Sequence, residues 1–239
     1  MVSELVSVRG LTMRFGGVTA LSNVDFRLGQ SELCCIIGPN GAGKSTFFKC
    51  LTGQVLPTMG EILFEDHRLS TLSSHEIARL GIGIKTQVPS VFNGLSVAEN
   101  VLMSLRRVHP RPLQEGRLWE VAEQTGIVDI LGEQVETLAH GQRQLVELAM
   151  VMAPKPKLIL LDEPAAGLTQ HEVGRLAELV RLVSSQCALI VVEHDMSFIR
   201  SIASRIVVFN QGSVLMDGMA QDVLEDETVK NVYLGRQEA

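Results

Sequence analysis

Residues 38–46 read GPNGAGKST, a match to GxxxxGK[ST] that follows the apolar run Leu33–Ile37 and precedes a helical pattern over Lys44–Thr52. In a strand-to-helix setting this is phosphate-binding chemistry. Gly38, Gly41 and Gly43 let the main chain wrap closely and turn its amides toward phosphate oxygens, and the helix N-terminus adds favourable partial charge. Lys44 is placed for the β- and γ-phosphates and Ser45 for Mg²⁺. Pro39, Asn40, Ala42 and Thr46 complete the segment expected to hold the nucleotide.

Three further places carry groups suited to hydrolysis. Asp162 and Glu163 end the apolar run Leu158–Leu161; Asp162 is placed to hold the magnesium shell, and Glu163 to take the proton of an attacking water. On its own, "DEP" reads as a polar strand end broken by proline; beside a phosphate loop it reads as machinery. His194 follows the run Ala188–Val192 and Glu193. Such a histidine is often a satisfied edge residue, yet here it leaves on the same edge as Gly38 and Asp162, within reach of the γ-phosphate or the water. Gln87 closes the strand-like GIGIKTQ at 81–87. A surface glutamine is one reading, and an amide that touches both metal and water is the other.

The elements that must position these groups follow from periodicity. LVSVRGLTMRF at 5–15 and LSNVDFRL at 21–28 alternate apolar and polar residues, which predicts antiparallel strands. Leu33–Ile37, Leu158–Leu161 and Ala188–Val192 are continuous apolar runs, which predicts parallel strands buried on both faces. Helical patterns alternate with them, at Lys44–Thr52, at Leu145, Leu148, Ala149 and Met152, and at Glu172–Val183. The fold class expected is an α/β P-loop core whose ligands gather at the carboxyl ends of the strands. Between residues 88 and 155 only helices are expected, with Val97, Val101 and Leu105 on one face. The chain then reads as one domain over 1–239: a core with a β subdomain at 1–87 and 156–239, and an inserted helical subdomain at 88–155. A hairpin is expected around NQGS at 210–213.

Bulk composition narrows the function. The 239 residues are 46% hydrophobic and 20% charged, ordinary for a globular protein, and the formal net charge of −6 argues against a nucleic-acid partner. Arg106, Arg107 and Arg111 read as a solvated face. No apolar run approaches the roughly 20 residues of a membrane span, and the N-terminus lacks the pattern of a secretory signal, so a cytosolic location is expected. Cys34, Cys35, Cys50 and Cys187 have no metal-ligand spacing and read as small buried hydrophobes. His75–Glu76 and His171–Glu172 are followed by Arg79 and Arg175 where HExxH would need its second histidine.

LAHGQRQ at 138–144 is a second anion-facing segment, because Gly141 and Gln142 read as a helix start with free amides. With it in place the chain resembles an ATP-binding cassette (ABC) ATPase over essentially its whole length. The matching motifs are GPNGAGKST, Gln87, the signature LAHGQ (Leu138, Ala139, His140, Gly141, Gln142), LILLDEP, AAGL at 165–168 and His194. The resemblance implies ATP and Mg²⁺ as cofactors, with Ser45, Gln87 and Asp162 around the metal and Glu163, His194 and Gln87 as catalytic residues. It implies Phe15 as the aromatic that stacks on adenine. It also implies a head-to-tail dimer with a second ATPase subunit, expected to be a paralogue, so that each signature serves a nucleotide held by the partner.

Two departures stand out: Ala139 and His140 replace the commoner serine and glycine, and Thr169 stands where many relatives carry Asp. FGGVTAL, the histidine-bearing signature, VVEHDM and VYLGR look most like ATPase subunits of branched-chain amino-acid and urea importers, and KTQVPSVF with NQGSVL looks closest to the urea type. The resemblance therefore implies an importer ATPase on the cytosolic face of the cell membrane, with integral-membrane permease subunits and an external solute-binding protein. Urea is the expected solute and branched-chain amino acids the alternative. A soluble cassette ATPase acting on ribosomes or nucleic acid is the alternative of another class.

Overall fold

The computed structural model describes residues 4–87, 90–106 and 108–234. Alternating side chains build β1 (Glu4–Phe15) and β2 (Val18–Gly29), which pair antiparallel. β3 (Leu33–Ile37), α1 (Lys44–Leu51), β4 (Met59–Phe64), β5 (His67–Arg68), α2 (Ser74–Arg79) and β6 (Ile82–Lys85) follow. Three longer helices come next: α3 (Val97–Leu105), α4 (Arg111–Thr125) and α5 (His140–Met152). The chain then returns to alternation with β7 (Leu158–Asp162), α6 (Gln170–Ser184), β8 (Ala188–Val192), α7 (Met196–Ile202), β9 (Arg205–Asn210) and β10 (Ser213–Met219). It closes with α8 (Ala220–Glu225) and α9 (Glu227–Leu234).

A four-stranded antiparallel sheet runs β2-β1-β4-β5, and a six-stranded sheet runs β10-β9-β3-β8-β7-β6. In the larger sheet β9, β3, β8, β7 and β6 are parallel, and β10 returns antiparallel to β9. The three apolar runs singled out in the sequence form its centre. β6 and β9 extend it, although glycine at 81 and 83 dilutes the first pattern and the second reads locally as a hairpin arm.

Every residue of β3 is buried, and its alternate side chains enter two different cores. Leu33, Cys35 and Ile37 face one with α3–α7, while Cys34 and Ile36 face the other with α1 and the antiparallel sheet. Burial on both faces is why these strands are unbroken in hydrophobicity. Helix starts are set by capping boxes at Ser73 with Glu76, Ser96 with Glu99, and Thr169 with Glu172. With Thr169 as its cap, α6 starts two residues before the expected Glu172. Val97, Val101 and Leu105 are fully buried, as their spacing predicts.

Candidate functional site

Strand order places the site. Because β3, β8, β7 and β6 are neighbours, the segments leaving their carboxyl ends lie in a row: the phosphate loop, Glu193–His194, Glu163, then Gln87. Register keeps the ends level, with Ile36 opposite Val192, Asp162 opposite Val192 and Lys85 opposite Leu161.

The phosphate loop is braced from outside. Gly43 caps α1 at φ 106°, and a Cβ there would approach the Ala20 carbonyl oxygen to 2.7 Å, so only glycine fits. The Gly212 amide, in the turn between β9 and β10, donates to Ala42 O at 3.0 Å, and Ser22 N donates to Gly212 O at 2.8 Å. Beneath the loop, the Phe47 ring packs against Phe26 and Phe209, each at 5.3 Å between centroids. Lys44 is buried and donates from Nζ to Gly38 O at 2.6 Å and Pro39 O at 3.1 Å. Burial lowers its pKa, opposed by Glu163 and Asp162. Phe15, at the end of β1, is 47% exposed, so its ring is available to a ligand.

Asp162 and Glu163 are close enough that burial and then the Glu163 charge raise the Asp162 pKa, with Lys44 and Lys85 opposing. Glu163 sits at φ 47°, a conformation uncommon outside glycine, and its amide donates to Val192 O at 2.9 Å. Its carboxylate accepts from Gln87 Nε2 at 2.9 Å and lies 3.7 Å from His194 Nδ1. The structure thus brings Lys44, Asp162, Glu163, Gln87 and His194 to one edge. That arrangement pairs a phosphate cradle with a carboxylate fitted to accept a water proton, and with an amide and an imidazole to orient it.

Glu193 holds two of these loops together. Its side chain is fully buried; Oε1 accepts from Ala165 N at 2.9 Å, and Oε2 accepts from His194 N at 2.7 Å and Asp195 N at 3.1 Å. One carboxylate therefore ties the segment after Glu163 to the segment bearing His194. From the sequence Glu193 is only a polar residue at the end of an apolar run, with no role expected of it. The available signal was an acid placed directly after five apolar residues, where an unpaired charge would be costly.

The signature segment starts α5 and makes its contacts with 166–172. Ala139 is the N-cap and has no side-chain oxygen to offer the helix amides, while Gln142 Oε1 accepts from Ala139 N at 3.0 Å. The His140 ring Nε2 lies 3.1 Å from Ala166 O of the AAGL segment and 3.3 Å from Gln144 Nε2 on its own helix, so the ring is engaged within its own subunit. Gly141 is pressed against Glu172, whose carboxylate a Cβ would overlap. Thr169, the other departure, acts locally, since its hydroxyl caps α6 and bonds Glu172 Oε2 at 2.7 Å.

Elsewhere the four cysteines are buried and free, as their apolar surroundings predict. Arg106 and Arg111 are exposed, while Arg107 lies outside the described residues, as do positions 88 and 89 of KTQVPSVF and the end of VYLGR. Among the described residues no helix is long and apolar enough to cross a membrane.

These features define an ATP-hydrolysing cassette, and the chain belongs to the ABC transporter family, whose pattern matches residues 21–166. It is 36% identical to the high-affinity branched-chain amino acid transport ATP-binding protein LivG of Escherichia coli (strain K12), over 98% of this chain and 99% of that one. It is 33% identical to the branched-chain amino acid transport ATP-binding protein BraF of Pseudomonas aeruginosa, with the same coverage. Among solved structures it is similar to the ADP conformation of MJ1267, an ATP-binding cassette of an ABC transporter (TM-score 0.86, 24% identity, 98% and 99% of the two chains). It is also similar to cbiO1 of Clostridium perfringens, part of the cbiONQ complex (TM-score 0.86, 26% identity, 98% and 97%).

Proposed function

We propose that the chain energises uptake of branched-chain amino acids as the ATPase subunit of an importer, docked on the cytosolic face of the cell membrane against separate permease subunits. The observation that carries this reading is its end-to-end similarity to LivG and BraF, whose names state that solute. That similarity favours the alternative solute over urea, which rested on short segments partly outside the described residues.

In the mechanism proposed, the amides of 38–46 and Lys44 bind the phosphates, and Phe15 stacks on adenine. Glu163 takes the proton of the attacking water, which Gln87 and His194 orient; Glu193 keeps His194 and the 163–165 turn in place. Ser45, Gln87 and Asp162 offer hard oxygen donors, a set suited to Mg²⁺. Bound there, Mg²⁺ would neutralise charge on the phosphates. The helical subdomain is assigned to 88–155, and the signature Leu138–Gln142 to a nucleotide held by a second ATPase subunit, a paralogue, in a head-to-tail dimer. An external solute-binding protein completes the complex, and nucleic acid has no part in it.

Uptake of radiolabelled leucine and urea by the native strain carrying Lys44→Ala, with expression verified, tests the proposal. Loss of leucine uptake with urea uptake intact is the expected result. Selective loss of urea uptake would return the assignment to urea, and persistence of both would remove the transport role proposed here.

A further inference from the structure

Lys85 and Glu147 are buried charges that hydrolysis does not use directly. Lys85 is the last residue of β6, Glu147 lies two turns into α5, and their side chains are 1% and 3% exposed. Lys85 Nζ is 3.4 Å from Glu147 Oε2, an approach too poorly aligned to count as a hydrogen bond for either atom. The other carboxylate oxygen, Oε1, accepts from Ser90 N at 3.0 Å. Glu147 therefore holds the chain two residues before Gln87 and again three residues after it.

A buried, imperfectly aligned ion pair is a poor stabiliser, because desolvating two charges offsets their attraction and apolar residues of similar size do as well or better. Its location points to a different role. Gln87 donates to Glu163 Oε2 at 2.9 Å, and the helix that carries Glu147 begins at His140 in the signature. We infer that Glu147 is a positioning residue for Gln87: with Lys85 and the Ser90 amide it clasps the glutamine segment to the signature helix, so that the placement of that helix sets the placement of Gln87 against Glu163.

This inference rests on the reading of Gln87 as a residue of the hydrolytic site, and the test separates the two. Turnover at saturating ATP, nucleotide affinity and melting temperature are measured for Lys85→Met/Glu147→Leu, alone and with Gln87→Ala. The apolar pair removes both charges together and is expected to melt near the wild type. Affinity should hold, while kcat drops on the order of tenfold because the aligning group is displaced. In the Gln87→Ala background the same pair should lower kcat no further. Lys85→Met/Glu147→Gln, which keeps an oxygen for Ser90 N–H, should recover most of the lost turnover. Should the leucine variant not fold, alanine at 147 takes its place in the comparison.

Wild-type kcat in a stably folded apolar pair would overturn the proposal and leave the clasp a packing feature. An equal loss of kcat in the presence and absence of Gln87 would also overturn it. Wild-type turnover in Gln87→Ala alone would instead sink the reading of Gln87, and the inference with it.

Discussion

Gln87 and Glu163 lie 76 residues apart in the chain and meet in a 2.9 Å hydrogen bond from Nε2 to Oε2. The bond joins the carboxyl end of β6 to that of β7, adjacent strands whose order brings the two side chains together. It commits one carboxylate oxygen to the amide and leaves the other facing His194 Nδ1 at 3.7 Å. Glu163 is thus bonded to the amide on one side and faces the imidazole on the other.

Glu163→Gln keeps the shape and an oxygen for the Gln87 amide while removing the basic carboxylate. ATP affinity should stay near the wild-type value, and kcat should fall by roughly 10²–10⁴-fold, the range of a positioned general base. Isothermal titration of ATP together with steady-state phosphate release checks both halves. Undiminished turnover would take the base role away from Glu163.

Glu193→Gln should uncouple two loops. Its two carboxylate oxygens accept from Ala165 N on one side and from His194 N and Asp195 N on the other. An amide presents only one acceptor, so whichever way it turns, a buried N–H faces another donor. A stability loss of about 1–3 kcal/mol follows from the unsatisfied group. The kcat measured per bound nucleotide should fall as well, with affinity retained; denaturant unfolding and single-turnover hydrolysis read the two effects.

Gly141→Ala should fail for a reason inside the subunit. The added methyl would overlap the Glu172 carboxylate, which is also engaged in capping α6. The expected destabilisation is about 1–3 kcal/mol, the usual cost of overpacking. It should shrink in a Glu172→Ala background, giving a coupling energy in a double-mutant cycle. Additive losses would show that the two residues do not contend for the same space.

Asp195 supplies a pH test. Its carboxylate caps α7, and hydrogen bonds from the Ser197 hydroxyl first, then the Phe198 amide, hold its pKa below the ordinary aspartate value. A depressed folded pKa means stability that is present above about pH 4, the unfolded value, and lost as pH falls through the folded one. Asp195→Ala should therefore cost about 1 kcal/mol at neutral pH, and the gap should close in acid. Melting curves from pH 7 down to about 2.5 would show the convergence; a constant gap would remove the ionised cap from the account.

Much of this arrangement was legible in the chain itself. GPNGAGKST declares its chemistry because glycine spacing, lysine and hydroxyl are each required at fixed positions, and the apolar runs before Gly38, Asp162 and Glu193 declare buried parallel strands. Strand order was not legible, since periodicity reports which faces are buried and not which strand lies beside which. Glu147 and Glu193 were missed for the same reason: the amides of Ser90 and Ala165 that they hold lie 57 and 28 residues away. Lys85 was missed with them, because its counter-charge is on α5, far along the chain from β6. His140 and Thr169, noted as departures, proved to have local bonds that only the fold could display.

Cys34, Cys35, Cys50 and Cys187 are all buried, and burial raises each pKa, to about 12 for Cys35 and about 11 for Cys50 and Cys187. Thiolate is the reactive form, so alkylating reagents find almost nothing to attack on the native protein. A cysteine introduced at exposed Ser45 or Ala139 would then be the one thiol to label or cross-link, with no need to strip the natural four from the chain.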